Sequence, residues 1–285
     1  MGKAHPRGCA SDRFGSQAAI GMGFQRDTIV MRPQDIDTQG SANVLPNFAK
    51  EELLAVAIAR VIGDARHVAV GAASPIPAMA VFLLREKNRN RPRVSLLQKR
   101  SGNPFTEGSR ELFDLAGQGR IDVFFLGGAQ IDGQANINLV QAEGRRFPGS
   151  FGSAYMYFAA KQTILFREEH SPRVLVKKVD YISAPGWSGP GVERRGGPAA
   201  LLTGKALFLW QKEQRRFRLE SVHPDSSVED VRANTGFDYD VPGAVPKTAA
   251  PTDEELDLLR GPVARVIAEN YPEFARRVWS IGAPA

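Results

Sequence analysis

From residue 47 onward the chain switches between two hydrophobic rhythms. Over 51–62, Leu54, Ala57, Ile58 and Val61 share one helical face, and Glu51 and Glu52 suit the positive end of a helix dipole. Gly63 and Asp64 end that helix. A short apolar strand at 67–70 follows, then the turn Gly71-Ala72-Ala73-Ser74-Pro75-Ile76-Pro77. A helix from about 77 to 87 comes next, with proline tolerated in its first turn. The spacing then predicts a strand at 93–98. After Asp122 the run to residue 126 is continuously apolar, as expected of a strand covered on both faces.

Strand, turn, helix, strand is the grammar of a βαβ unit, so the predicted class is α/β with a mostly parallel sheet between helices. Further apolar runs lie at 163–166, 174–182, 199–209 and 217–222. The last two, joined by polar residues 211–216, predict an antiparallel hairpin near the C-terminus. Thr252 followed by Asp253, Glu254 and Glu255 spells a capping box, after which Leu256, Leu259, Val263 and Val266 or Ile267 face inward. Residues 1–46 carry no sustained periodicity and are rich in Gly, Ser, Gln and Arg. They read as an extension, poorly structured or draped on a partner, ahead of a folded domain at 47–285. No internal repeat is visible.

A hydrophobic content of 42% and a charged content of 24% in 285 residues are those of a globular protein. Cys9 is the single cysteine, which excludes an intrachain disulfide and a Cys-based zinc site. His5, His67, His170 and His223 are scattered, so no metal is expected. No apolar run reaches the roughly 18–20 residues of a membrane span. The first fifteen residues lack the apolar stretch of a secretory signal, so a reducing cytoplasm is the expected compartment. The net charge of +6 comes largely from two clusters. Arg85, Lys87, Arg89, Arg91, Arg93, Lys99 and Arg100 face only Glu86; Lys212, Arg215, Arg216 and Arg218 form the second. A solvated turn and a hairpin tip account for them first, and attraction for the phosphates of a nucleotide-tailed cofactor second. Neither has the interleaved aromatics of a nucleic-acid surface, so nucleic acid is not an expected partner.

Three glycine-containing loops follow or flank the strands: 71–77; Gly127-Gly128-Ala129-Gln130-Ile131-Asp132; and Phe147-Pro148-Gly149-Ser150-Phe151-Gly152-Ser153. In open α/β sheets ligands bind outside the carboxyl ends of the strands. Glycines there let backbone N–H groups approach a ligand oxygen, as attack on a carbonyl requires for its developing oxyanion. Glycine loops also serve as plain punctuation, and by themselves do not decide.

The run from Gly119 to Asp132, followed by Ala135-Asn136-Ile137-Asn138, resembles the signature of the β subunits of family I CoA-transferases, of the glutaconate CoA-transferase type. The resemblance continues in order through Pro148-Gly149-Ser150-Phe151-Gly152, residues 176–183 with Pro185-Gly186-Trp187, Glu220-Ser221-Val222-His223-Pro224, 231–236 and 251–260. It covers about 50–262, and extends to the β-like chain of the ring-opening CoA hydrolases. It implies a three-layer α/β/α fold and an α-type partner subunit in a hetero-oligomer. It also implies acyl-CoA and carboxylate substrates, with coenzyme A as substrate rather than a permanently bound cofactor. In such transferases a glutamate carboxylate attacks the acyl-CoA, and CoA then passes to a second acid by ping-pong chemistry.

The family's nucleophile would fall in Gln98-Lys99-Arg100-Ser101-Gly102, where Arg100 occupies the glutamate position. A permanently protonated guanidinium cannot attack a carbonyl. The catalytic acid is therefore expected on the α-type chain, with Arg100 as a counter-charge to a substrate carboxylate or CoA phosphate. Alternatively the chain is a non-catalytic subunit of such a complex, or Glu107 or Glu111 has taken over the role. Gln130 is a candidate donor to the thioester oxygen, or else holds neighbouring loops by a structural hydrogen bond. Asn136 and Asn138 are expected to hold the turn. Gly71, Gly127, Gly128, Gly149 and Gly152 are the candidate CoA contacts, the last two towards the acyl group or pantetheine arm. Transfer of CoA between acids is the expected reaction, hydrolysis of a thioester or ring carbon–carbon bond the alternative.

Overall fold

The structure, a computed structural model, describes residues 47–97, 99, 105 and 107–281. The 1–46 extension and Arg100 lie outside these described residues. Strands β1 (His67–Val70), β2 (Arg93–Leu96), β3 (Val123–Leu126), β8 (Gln162–Arg167), β9 (Pro198–Thr203), β10 (Ala206–Gln211) and β11 (Arg216–Val222) form one seven-stranded sheet in the order β11-β10-β9-β8-β3-β1-β2. The five strands from β9 to β2 are parallel; β10 and β11 close one side as an antiparallel hairpin. Between β3 and β8 lie two short ribbons, β4 (Gln130–Ile131) with β5 (Ile137–Asn138), and β6 (Gln141–Ala142) with β7 (Arg145–Arg146).

Period-two alternation sorts the strand residues into two cores. Val68, Val70, Val123, Phe125, Ile164, Ala200 and Leu202 face one side, where they meet α1 (Lys50–Ile62) and α2 (Pro75–Lys87). The same core takes Ile267 of α7 (Ala264–Asn270), Ala275 of α8 (Pro272–Trp279), and Leu259 and Val263 from the π turn that joins α6 (Asp253–Leu258) to α7. Ala69, Phe124, Leu126, Leu165 and Leu201 face the other side, against Leu112 of α3 (Ser109–Gly117) and Met156 and Tyr157 of α4 (Ser153–Ala159). Val231 of the short α5 (Val228–Ala233) completes that core. The chain is thus a three-layer α/β/α fold.

Two buried carboxylates bind the first helical layer together. Glu52, 1% exposed, accepts from Arg260 at 2.9 Å on both oxygens, from Trp279 Nε1 at 3.0 Å and from the Ala49 N–H at 2.8 Å. Burial alone would raise its pKa, but these donors hold it below the ordinary value. Glu255 closes the expected capping box with Thr252 and also pairs with Arg60 and Lys87.

Several boundaries differ from the sequence reading. Helix α2 begins at Pro75 rather than near 77, with both prolines inside its first turn, where no N–H is needed. The apolar run 199–209 is two strands rather than one. Thr203 Oγ1 accepts from the Lys205 and Ala206 N–H groups, and Gly204 N donates to Glu168 O, which turns the chain between β9 and β10. The run 174–182 forms no strand; Leu175 makes a single bridge to Ile131. A π turn, Leu259–Val263, absorbs Pro262 and its missing N–H ahead of α7. In the basic clusters, Lys87 is tied to Glu255. At the hairpin tip Arg215 lies over the Trp187 ring, while Arg216 and Arg218 pair with Asp240 and Glu220. No helix among the described residues is long and apolar enough to cross a membrane.

Candidate active site

A cleft of about 1440 Å³ opens along one edge of the sheet. Every parallel strand sends its carboxyl end into it: Leu97 after β2, Gly71 after β1, Gly127 after β3, Glu168 after β8 and Gly204 after β9. That is the edge at which an open α/β sheet offers its loops to a ligand.

One half of the cleft carries no charge. Its walls are the 71–77 loop, Gly127-Gly128-Ala129, Phe113 of α3 and the 147–153 loop. The structure therefore brings Gly71, Gly127, Gly128, Gly149 and Gly152 together in one site. Gly149 adopts φ +123°, a conformation that side chains with a Cβ rarely take. At Gly128 the reason for glycine is close approach. A Cβ there would stand 2.7 Å from Gln130 O and 2.8 Å from Ile137 Cγ2. Among the described residues, the N–H groups of Gly127 and Gly128 have no acceptor, leaving two donors at the end of β3.

A polar network fixes this loop from behind. Gln130, 4% exposed, accepts through Oε1 from Asn138 Nδ2 at 2.8 Å and from the Asp180 N–H at 3.0 Å. Asn138 Oδ1 accepts from the N–H groups of Val140 and Gln141, and Asn136 Oδ1 from that of Gly186. Asp132 receives the Gln134 and Asn136 N–H groups, and Tyr157 Oη donates to Ala135 O. Gln130 thus holds neighbouring segments, and it is not among the residues lining the cleft.

The other half of the cleft is charged. Arg167, Glu168, Glu169, His170 and Arg173 come from the end of β8 and beyond, Lys205 from the β9–β10 turn, Lys50 from the start of α1 and Arg277 from α8. Glu169 accepts from Ser171 Oγ at 2.8 Å and from Arg173 at 2.5 Å, with Arg167 at 3.4 Å. The Ser171 hydroxyl above all, and then the Arg173 and Arg167 guanidinium groups, hold its pKa below the ordinary value against the opposing effect of burial. His170 bridges Thr203 Oγ1 at 2.7 Å and Thr235 Oγ1 at 3.0 Å. Burial, with Lys205 nearby, brings its pKa down to about 4, so it is neutral at physiological pH. The carboxylate of Glu168 is exposed and, among the described residues, has no hydrogen-bond or ion-pair partner.

Glu107 stands outside the cleft, paired at the surface with Arg110, and its N–H donates to Glu111. Sequence reasoning missed the whole charged half. The signal was present in Arg167-Glu168-Glu169-His170, a charged tetrad at the carboxyl end of an apolar strand. No three His, Cys, Asp or Glu side chains converge as metal ligands among the described residues.

Residues 94–234 match the coenzyme A transferase family. The β-type subunit of glutaconate CoA-transferase from Acidaminococcus fermentans is 36% identical over 150 residues, 48% of this chain and 55% of the relative. The corresponding subunit of 3-oxoadipate CoA-transferase from Pseudomonas knackmussii is 33% identical over 163 residues, 53% and 62% of the two chains. The cholesterol ring-cleaving hydrolase IpdB subunit of Rhodococcus jostii is 29% identical over the same shares. The matches thus span little more than half of each relative's length. The crystal structure of the Acidaminococcus fermentans glutaconate coenzyme A-transferase superposes with a TM-score of 0.66 at 25% identity, over 76% of this chain and 95% of that one.

Proposed function

We propose that the chain is a β-type subunit of the coenzyme A transferase family and that, with an α-type chain, it moves coenzyme A between an acyl-CoA and a carboxylic acid. The observation that carries this is the pair of N–H donors at Gly127 and Gly128, held rigidly at the end of a central parallel strand within an uncharged half-cleft. Such donors act on a carbonyl oxygen as it gains charge. In this reading the α-type chain supplies the attacking carboxylate: position 100 holds arginine, Glu107 lies outside the cleft and Glu169 is held by Ser171, Arg173 and Arg167, which leaves Glu168 as this chain's rival acid. A carboxylate oxygen bonds to the thioester carbon, the C–S bond breaks and CoA leaves as thiolate. The thiolate then attacks the enzyme's own carbonyl in the resulting anhydride and releases the first acid. The second acid takes over CoA by the reverse sequence. With a single cysteine in this chain, we place it in a reducing cytoplasm.

The test uses the chain purified together with the α-type protein encoded beside it. Label must exchange between an acyl-CoA and the free acid, and borohydride must trap a glutamyl-CoA adduct. Absence of exchange in a folded complex would overturn transfer. The likeness to a ring-cleaving hydrolase subunit supports a second reading, hydrolysis. It is the correct one if thioester or substrate is consumed with no acceptor acid present.

A further inference from the structure

The division of the cleft into an uncharged and a charged half has a chemical meaning of its own. All five cations among the lining residues, Lys50, Arg167, Arg173, Lys205 and Arg277, lie in the charged half, against only Glu168 and Glu169. Arg167 and Arg173 are engaged with Glu169, and Lys205 with Asp230. Arg277 stands 3.6 Å from Glu51 and keeps three-fifths of its side chain exposed. Lys50 has no ion pair among the described residues. Its Nζ lies against the β9–β10 turn, 2.8 Å from where a side chain at Gly204 would begin. Arg277 lies over the Phe274 ring, and Lys50 and Arg277 both line the cleft, Lys50 from the start of α1 and Arg277 from α8, whose guanidinium reaches the next α1 residue, Glu51.

The geometry points to an anion subsite formed by Lys50 and Arg277, which seats a phosphate or carboxylate group of the substrate while its carbonyl lies in the glycine half. This rests on the acyl-CoA reading given above and adds which residues hold the anionic end. Two sources share that chemistry: the phosphates of CoA, and a second carboxylate on the acyl group.

Binding of four probes to the assembled complex separates them: butyryl-CoA, butyryl-pantetheine, glutaryl-CoA and glutaryl-pantetheine. Lys50→Met combined with Arg277→Met removes the subsite. Both side chains are solvent-accessible and Lys50 is unpaired, so the variant is expected to fold, which a melting curve verifies. Arg265→Met, an exposed cation outside the cleft, controls for net charge. Loss of charge-assisted contacts raises Kd by about 10- to 100-fold. If the anion is a phosphate, both CoA probes weaken and the pantetheine probes do not. If it is a carboxylate, both glutaryl probes weaken and the butyryl probes do not. Unchanged Kd for all four overturns the subsite and leaves the acyl-CoA reading intact; a wild-type complex that binds neither CoA thioester overturns both. An equal loss in Arg265→Met also overturns the subsite, by reducing it to general attraction.

Discussion

Replacing Glu168 by glutamine separates this chain's carboxylate from its partner's. The side chain is exposed at the carboxyl end of β8 and unpaired among the described residues, so Glu168→Gln orphans no donor there. Its effect on stability is expected within about 0.5 kcal/mol. The remaining effect is electrostatic. A unit charge acting across roughly 8 Å at an effective dielectric of about 40 amounts to about 1 kcal/mol, or about fivefold in a rate or binding constant. If the attacking acid comes from the α-type chain, Glu168→Gln should therefore leave kcat within about tenfold, and tighten the binding of an anionic acyl-CoA slightly. Loss of the attacking group itself costs at least three orders of magnitude. The assay is single-turnover transfer in the assembled complex, with borohydride trapping and mass analysis of both chains. A fall in kcat of a thousandfold or more at unchanged Tm, with the trapped adduct absent from the partner, would refute the placing of the nucleophile.

Other outcomes follow from the same contacts. Glu52→Gln weakens a carboxylate that receives four hydrogen bonds; with Arg260 two-fifths exposed, a loss of about 2–3 kcal/mol is expected in urea unfolding, and a loss below 1 would contradict the buried-pair argument. Gly128→Ala drives a methyl group to within 2.7 Å of Gln130 O, so it should cost about 1–3 kcal/mol and lower kcat well below the melting temperature. An active, equally stable alanine variant would show that the loop is not tightly held. His170 and His223 have folded pKa values of about 4 through burial, against 6.5 as the ordinary value. The unfolded chain therefore binds more protons between the two values, and stability present above pH 6.5 is lost as pH falls towards 4. The loss at pH 5 is about 2 kcal/mol per histidine. His67, also lowered by burial and by Arg93, acts in the same sense. Flat stability between pH 7 and 5 would contradict this.

The parallel sheet was legible because its strands are buried on both faces, and a short, near-continuous apolar run such as Val123–Leu126 fits little else. The C-terminal helices were legible through the capping box at Thr252 and Glu255, a local signal that tertiary contacts only reinforced. Residues 199–209 misled because the reversal between β9 and β10 relies on a Thr203 hydroxyl and a glycine, without the Asn-Gly or Pro that marks most turns. The π turn at Leu259–Val263 was invisible for a related reason. The inward positions 256, 259, 263 and 266 or 267 read as one continuous helix, and packing of Leu259, Val263 and Ile267 carries the helical axis past Gly261 and Pro262, so only the local widening escapes the pattern.

The uneven legibility of the cleft has one cause. Its glycine half is assembled from contiguous loops, each following its own strand, so position in the sequence already implied position in space. Its charged half is assembled from α1, the end of β8, the β9–β10 turn and α8, and only the folded topology brings Lys50 near Arg277. Charges that pair locally, such as Arg173 with Glu169, leave an i, i+4 trace in the sequence. Charges that are meant for a ligand leave none, because their partner is not in the chain. The rule that ligands gather beyond strand ends nonetheless singles out residues 167–170 once it is extended from the glycine-flanked strands to every apolar run.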